Sequence, residues 1–115
     1  MNFKELKELY LYDNNISDIK VLEKVKFEKL EILRLGGNKI SDINILEKVN
    51  FKELKKLSLN NNNISDIKVL EKVKFEKLEI LDLNGNKISQ DKYSSIINCF
   101  NILNMEIRID NNFKI

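Results

Sequence analysis

Histidine, tryptophan, proline, alanine and threonine are absent from this 115-residue chain, and cysteine occurs once, at Cys99. Without histidine, neither a Ser–His–Asp nor a Cys–His arrangement can be assembled. A lone cysteine with no histidine also excludes the common zinc sites. Glycine occurs three times. Gly36-Gly37-Asn38-Lys39 and Gly85-Asn86-Lys87 lack both the spacing and the Gly-Lys-Ser/Thr ending of a phosphate-binding loop. No apolar run approaches the length of a membrane span, and Met1-Asn2-Phe3-Lys4 opens directly into a patterned region, so neither a membrane segment nor a signal peptide is expected. Twenty basic and 18 acidic residues leave a net charge of +2, too small to favour nucleic acid or an anionic membrane. Asn, Lys and Ile dominate the remainder, as an AT-rich coding sequence would produce. Residues 1–115 are long enough for one domain with a continuous core.

What is present is a text written four times. Residues 2–25 and 50–73 are two editions of one 24-residue segment, differing at Glu8/Lys56, Tyr10/Ser58, Tyr12/Asn60 and Asp13/Asn61. The interleaved pair, 26–41 and 74–89, differs at Arg34/Asp82 and Gly36/Asn84. The common unit is LxxLxLxxNxI: Leu6, Leu9, Leu11, Asn14 and Ile16 in the first copy, and Leu30, Leu33, Leu35, Asn38 and Ile40 in the second. Leu54, Leu57, Leu59, Asn62 and Ile64 follow, then Leu78, Leu81, Leu83, Asn86 and Ile88. Phe3, Phe27, Phe51 and Phe75 keep the same step of 24.

Four consecutive matches at constant spacing resemble a leucine-rich repeat protein. The ISDIxxLE tails at Ile16–Glu23, Ile40–Glu47 and Ile64–Glu71 are similar to the class found in bacterial internalins and in a nuclear regulator of protein phosphatase. The resemblance implies an α/β solenoid, a short horseshoe with about five parallel strands on its concave face (a repeat count in the sense of). Short 3₁₀ or α segments lie on the convex face, and a C-terminal helix and strand form a cap. Repeats are expected at about 3–26, 27–50, 51–74 and 75–98, with the cap at about 91–115. Secreted members of the family usually carry disulfide-bonded caps. A single cysteine therefore makes a reducing, cytoplasmic setting the simplest one, with the bacterial surface or secretion as the alternative.

The residues support the same architecture. Around Leu9–Leu11 and its equivalents apolar and variable residues alternate with period two, as in a half-buried strand. One such strand has no core, whereas stacked copies share one. Asn14, Asn38, Asn62 and Asn86 occupy the turn leaving each strand, where a buried carboxamide can bond backbone groups that have no sheet partner. Ile16, Ile19, Leu22 and Val25 are spaced by three, which suits a 3₁₀ segment capped by Ser17 or Asp18. Asp91–Phe100 places Tyr93, Ile96, Ile97 and Phe100 at helical spacing, so Cys99 is expected at or near the core rather than as a nucleophile. Ile107-Arg-Ile109-Asp-Asn-Asn112 restores the strand rhythm. Asp13-Asn14-Asn15 and Asp110-Asn111-Asn112 have calcium-binding side chains but sit at the repeat turn, and no metal, cofactor or enzymatic activity is expected.

The differences between copies fall in four columns flanking the strand leucines. These are Glu8, Ile32, Lys56, Ile80, Glu106; Tyr10, Arg34, Ser58, Asp82, Arg108; Tyr12, Gly36, Asn60, Asn84, Asp110; and Asp13, Gly37, Asn61, Gly85, Asn111. Drift on any exposed surface is an insufficient account. Lys4, Lys20, Glu23 and Lys24 should also be exposed, yet they equal Lys52, Lys68, Glu71 and Lys72. Tyr, Ser, Asn, Asp, Gly and Arg are the residue types of antibody-like surfaces. The pattern predicts non-catalytic recognition of a protein partner through Glu8, Tyr10, Tyr12, Asp13, Ile32, Arg34, Lys56, Ser58, Asn60, Ile80, Asp82, Asn84 and Arg108. Tyr10, Tyr12 and Arg34 would be its anchors. The N-terminal strand has no predecessor, and either a longer array or another chain would cover it. That leaves two alternatives, a self-assembling structural unit and a regulatory subunit of an enzyme; the second rests on the resemblance alone.

Overall fold

A computed structural model describes residues 3–73, 75–102 and 106–108. Five three-residue strands, β1 (Glu8–Tyr10), β2 (Ile32–Arg34), β3 (Lys56–Ser58), β4 (Ile80–Asp82) and β5 (Glu106–Arg108), form one parallel sheet in sequence order. The repeat length sets the register, pairing Leu9 with Leu33, Leu33 with Leu57 and Leu57 with Leu81. Because side chains alternate across a strand, these leucines share one face and their neighbours share the other. Leu33, Leu57 and Leu81 are fully buried, as are Leu54, Leu59, Ile64 and Leu83.

The return path is a 3₁₀ turn in each of the first three repeats, at Lys20–Lys24, Asn44–Lys48 and Lys68–Glu71. The N-cap positions are held by Ile19, Ile43 and Ile67, with no side-chain cap bond, and the aspartate one residue earlier bonds the turn instead. The side-chain oxygens of Asp18, Asp42 and Asp66 accept the N–H of Lys20, Asn44 and Lys68 at 2.9, 2.9 and 3.1 Å. In the fourth repeat the tight turn gives way to α1 (Gln90–Ile102), two residues longer at its C-terminal end than the periodicity predicts. Tyr93 and Ile96 bury against the stack. The side chain of Cys99 and residues 109–115, with Asp110 and Asn111, lie outside the described residues.

The turn asparagines close the stack. Asn62 Oδ1 accepts the N–H of Ile40 in the preceding repeat at 3.0 Å, while its Nδ2 donates to the carbonyls of Leu35, Leu59 and Asn60 at 3.0–3.2 Å. Asn38 and Asn86 repeat the pattern towards Ile16 and Ile64. Asn14 departs from the expected burial. It is exposed, and its side chain bonds only within its own turn, to the carbonyls of Leu11 and Tyr12, while its N–H donates to Asn38 Oδ1 at 3.1 Å. Among the described residues no repeat packs on its outer side to be bonded or to cover it.

A feature of the stack that the leucine pattern conceals is alternation of charge. The column Glu5, Lys29, Glu53, Lys77 alternates in sign, and Lys7, Glu31, Lys55, Glu79 alternates in the opposite phase. Lys29 meets Glu5 at 2.8 Å, Lys77 meets Glu53 at 2.7 Å and Lys55 meets Glu31 at 3.6 Å. The hydrogen bonds from Lys29 and Lys77 hold the carboxyls of Glu5 and Glu53 below the usual glutamate range. Groups lowered on folding contribute stability above their unfolded pKa and lose it as pH falls through the folded value. The pairs are exposed, so the effect is small. Thermal midpoints should fall more steeply between pH 5 and 3, around the ordinary glutamate value of about 4.3, in the native chain than in the Glu5→Gln, Glu53→Gln variant. Equal slopes would contradict it.

Candidate functional site

The sheet's outer face carries the predicted residues in rows set by the strand register. Glu8, Ile32, Lys56, Ile80 and Glu106 are successive partners across the sheet, and so are Tyr10, Arg34, Ser58, Asp82 and Arg108. None of these ten is buried. Tyr10 and Tyr12 are 48% and 55% exposed, in a chain whose other aromatic anchors, Phe27, Phe51 and Phe75, are buried.

At the β1–β2 end four of these side chains form a cluster. The Arg34 guanidinium lies over the Tyr10 ring, 5.3 Å from its centroid, a cation–π contact. The Tyr10 and Tyr12 rings are 6.5 Å apart and tilted by 49°. The Tyr10 hydroxyl donates to the Glu8 carboxylate, which pushes the phenol pKa up. At the far end Arg108 donates to Glu106 at 2.8 Å, a bond that raises its pKa further. Asp82 accepts the N–H of Asn84 at 3.0 Å. Among the described residues Arg34 and Lys56 pair with no carboxylate. Tyr12, Arg34, Lys56, Ser58, Asn60, Asp82 and Arg108 line a concave depression of about 480 Å³. A depression of similar size, about 520 Å³, lies on the convex side between the first two 3₁₀ turns. Its aspartates already accept backbone N–H groups of the turns, and its first-turn residues Ser17, Asp18, Lys20 and Glu23 recur unchanged as Ser65, Asp66, Lys68 and Glu71.

Of the two outer columns, the third is covered at Gly36, while the fourth faces solvent, with Asp13, Asn61 and Gly85 exposed and Gly37 half-buried. Gly36 is buried, and a Cβ there would collide with the side chain of Asn60. The fourth column is a backbone device. Asp13, Gly37, Asn61 and Gly85 all have φ between +54° and +72°, the left-handed region that Gly, Asn and Asp tolerate best. A Cβ on Gly37 would strike Asp13 Oδ1, and one on Gly85 would strike Asn61 Oδ1. The Asp13/Asn61 and Gly36/Asn84 differences are therefore limited by backbone conformation and close approach. Four of the six differences remain without such a constraint: Glu8/Lys56, Tyr10/Ser58, Tyr12/Asn60 and Arg34/Asp82. The signal for the fourth column was in its composition, which contains only residues that accept positive φ.

Gly37→Ala should cost about 1–2 kcal/mol from backbone strain alone, plus the collision with Asp13. Adding Asp13→Gly should recover the collision and leave the strain, as chemical denaturation of the single and double variants would measure. A neutral Gly37→Ala would contradict the left-handed assignment.

The family model described as leucine rich repeats (2 copies) matches residues 4–48 and 52–105. Among solved structures, the crystal structure of an internalin (inlF) from Listeria monocytogenes str. 4b F2365 is similar, with a TM-score of 0.70 and 29% sequence identity. The match covers 92% of this chain and 30% of the internalin chain, so this chain spans less than a third of that protein's length. No curated protein matches significantly. Among the described residues no helix is long and apolar enough to cross a membrane. With matches across nearly its whole length to the repeat unit its leucines, asparagines and parallel strands build, this chain belongs to the leucine-rich repeat family.

Proposed function

We propose that this chain is a non-catalytic recognition module that binds a partner protein through the concave sheet face. The observation that carries this reading is the row Tyr10–Arg34–Ser58–Asp82–Arg108. Its residues sit side by side, none is buried, and two of the four unconstrained copy differences fall in it. The other two, Glu8/Lys56 and Tyr12/Asn60, flank it.

Tyr10, Tyr12 and Arg34 supply the anchors. Each offers a large contact area on few rotors or a planar fork for carboxylates, the chemistry of binding hot spots. Lys56, Ser58, Asp82 and Arg108 set polarity along the rest of the row, with Glu8, Ile32, Asn60, Ile80 and Asn84 beside them. Asp13 takes part as the residue that sets the turn. The partner is a protein rather than nucleic acid or membrane, since the face mixes both signs of charge. A single cysteine is in keeping with a reducing, cytoplasmic setting, with the bacterial surface or secretion as the alternative.

Capture of partners by the native chain, in parallel with the Tyr10→Ala, Arg34→Ala double variant, tests the reading. Retention of the same partner at the same level by a folded double variant would overturn it.

A further inference from the structure

The β1 edge is finished like an interior boundary of the stack. Phe3, Leu6, Leu9, Leu11 and Ile16 are only partly buried, whereas their counterparts Phe27, Leu30, Leu33, Leu35 and Ile40 are buried. The N–H groups of Lys55 and Lys56 both bond the Glu31 carbonyl, at 2.8 and 3.0 Å, and the Asn63 N–H bonds the Ile40 carbonyl at 2.8 Å. The equivalent donors on Lys7, Glu8 and Asn15 have no carbonyl among the described residues. Lys55 has Glu31 of the preceding repeat at 3.6 Å, while Lys7, its counterpart, pairs with no carboxylate among the described residues. Asn38, Asn62 and Asn86 each accept a backbone N–H of the preceding repeat, and among the described residues Asn14 Oδ1 accepts none.

We propose that this edge is a docking surface for one kind of leucine-rich unit, and that the alternation of two repeat kinds is the code that selects it. The first kind carries Glu5 and Lys7 or Glu53 and Lys55, with Asp13 or Asn61 in the left-handed turn. The second carries Lys29 and Glu31 or Lys77 and Glu79, with Gly37 or Gly85 there. Every boundary among the four repeats joins unlike kinds. A first-kind unit ahead of β1 would set Lys against Lys7 and Glu against Glu5, and would aim an Asp or Asn side chain at the Cβ of Asp13. At existing boundaries that space is free because glycine stands there. A second-kind unit brings a glutamate to Lys7 and a lysine to Glu5, and completes the bonds of Asn14. The occupant is not a second copy of this chain. Its own second-kind strands, β2 and β4, are already paired on both sides.

The experiment joins a copy of residues 26–49 ahead of Asn2 in one full chain and a copy of residues 50–73 in another. Both extensions add the same number of residues and the same leucines. The second-kind extension should melt about 5 °C or more above the first-kind extension, and it should slow hydrogen exchange at Lys7, Glu8 and Asn15. Lys7→Glu should narrow that gap. Equal midpoints, a higher midpoint for the first-kind extension, or a second-kind extension that melts below the parent chain would each overturn the proposal. So would a dimer of the unextended chain that protects the same three amides.

Discussion

Asn62→Ala should lower stability by about 3 kcal/mol, which for a domain of this size lowers the thermal midpoint by roughly 10–20 °C. The carboxamide is 5% exposed and bonds four backbone groups in two repeats. Truncation affects these groups unequally. The Leu35, Leu59 and Asn60 carbonyls keep other donors, in Asn38 Nδ2, Asn86 Nδ2 and the Gly37 N–H. The Ile40 N–H has no substitute, and an orphaned buried donor costs about 1–3 kcal/mol before the lost bonds and the cavity are counted. Against a total stability of about 5–15 kcal/mol this is a large fraction. Asn14→Ala should cost about 1 kcal/mol or less, because its bonds are local and solvent replaces them. The comparison separates a stacking role from an intrinsic turn preference. Thermal melts showing equal losses at both positions would favour the turn preference and remove the ladder from the account.

The Tyr10→Ala, Arg34→Ala double variant should leave the melting midpoint nearly unchanged and reduce partner affinity beyond detection in a standard capture. Neither side chain enters the core, and both stand on the outer face of β1 and β2. Substitutions at such positions usually stay within about 0.5 kcal/mol of neutral. In binding, each truncation should cost on the order of 1–3 kcal/mol, or roughly 5- to 150-fold in Kd. The guanidinium rests on the ring, so losing either partner also releases the other. The two single losses should therefore not add, and a double-mutant cycle should return a coupling of about 0.5 kcal/mol or more. Glu8→Gln should weaken binding less, because it alters only the acceptor that orients the Tyr10 hydroxyl.

The architecture was legible in the sequence because it is written four times. One leucine column is ambiguous between a strand and a short helix, but four in register admit a single stack. The rows on the concave face followed from the same spacing, since a period of two leaves no freedom once Leu9, Leu33, Leu57 and Leu81 are inside. Less visible was what depends on neighbours. Asn14 holds the same repeat position as Asn62 and is followed by the same residues, yet it differs in burial, because burial comes from the repeat packed against it. The left-handed turn at Asp13, Gly37, Asn61 and Gly85 was readable from residue type, but variation in that column resembles variation for binding until the backbone angles are known. The charge alternation at Glu5, Lys29, Glu53 and Lys77 was present in the text and gained meaning only when the 24-residue step was seen to place those side chains in contact.

The most direct measurement of the concave-face claim is site-specific photo-cross-linking. A cross-linking amino acid is placed at Ser58, in the central strand, and separately at Val21, 62% exposed on the convex side. Illumination of each with the captured partner should give a covalent adduct from position 58 and none from position 21. An adduct from position 21 with none from position 58 would contradict the account.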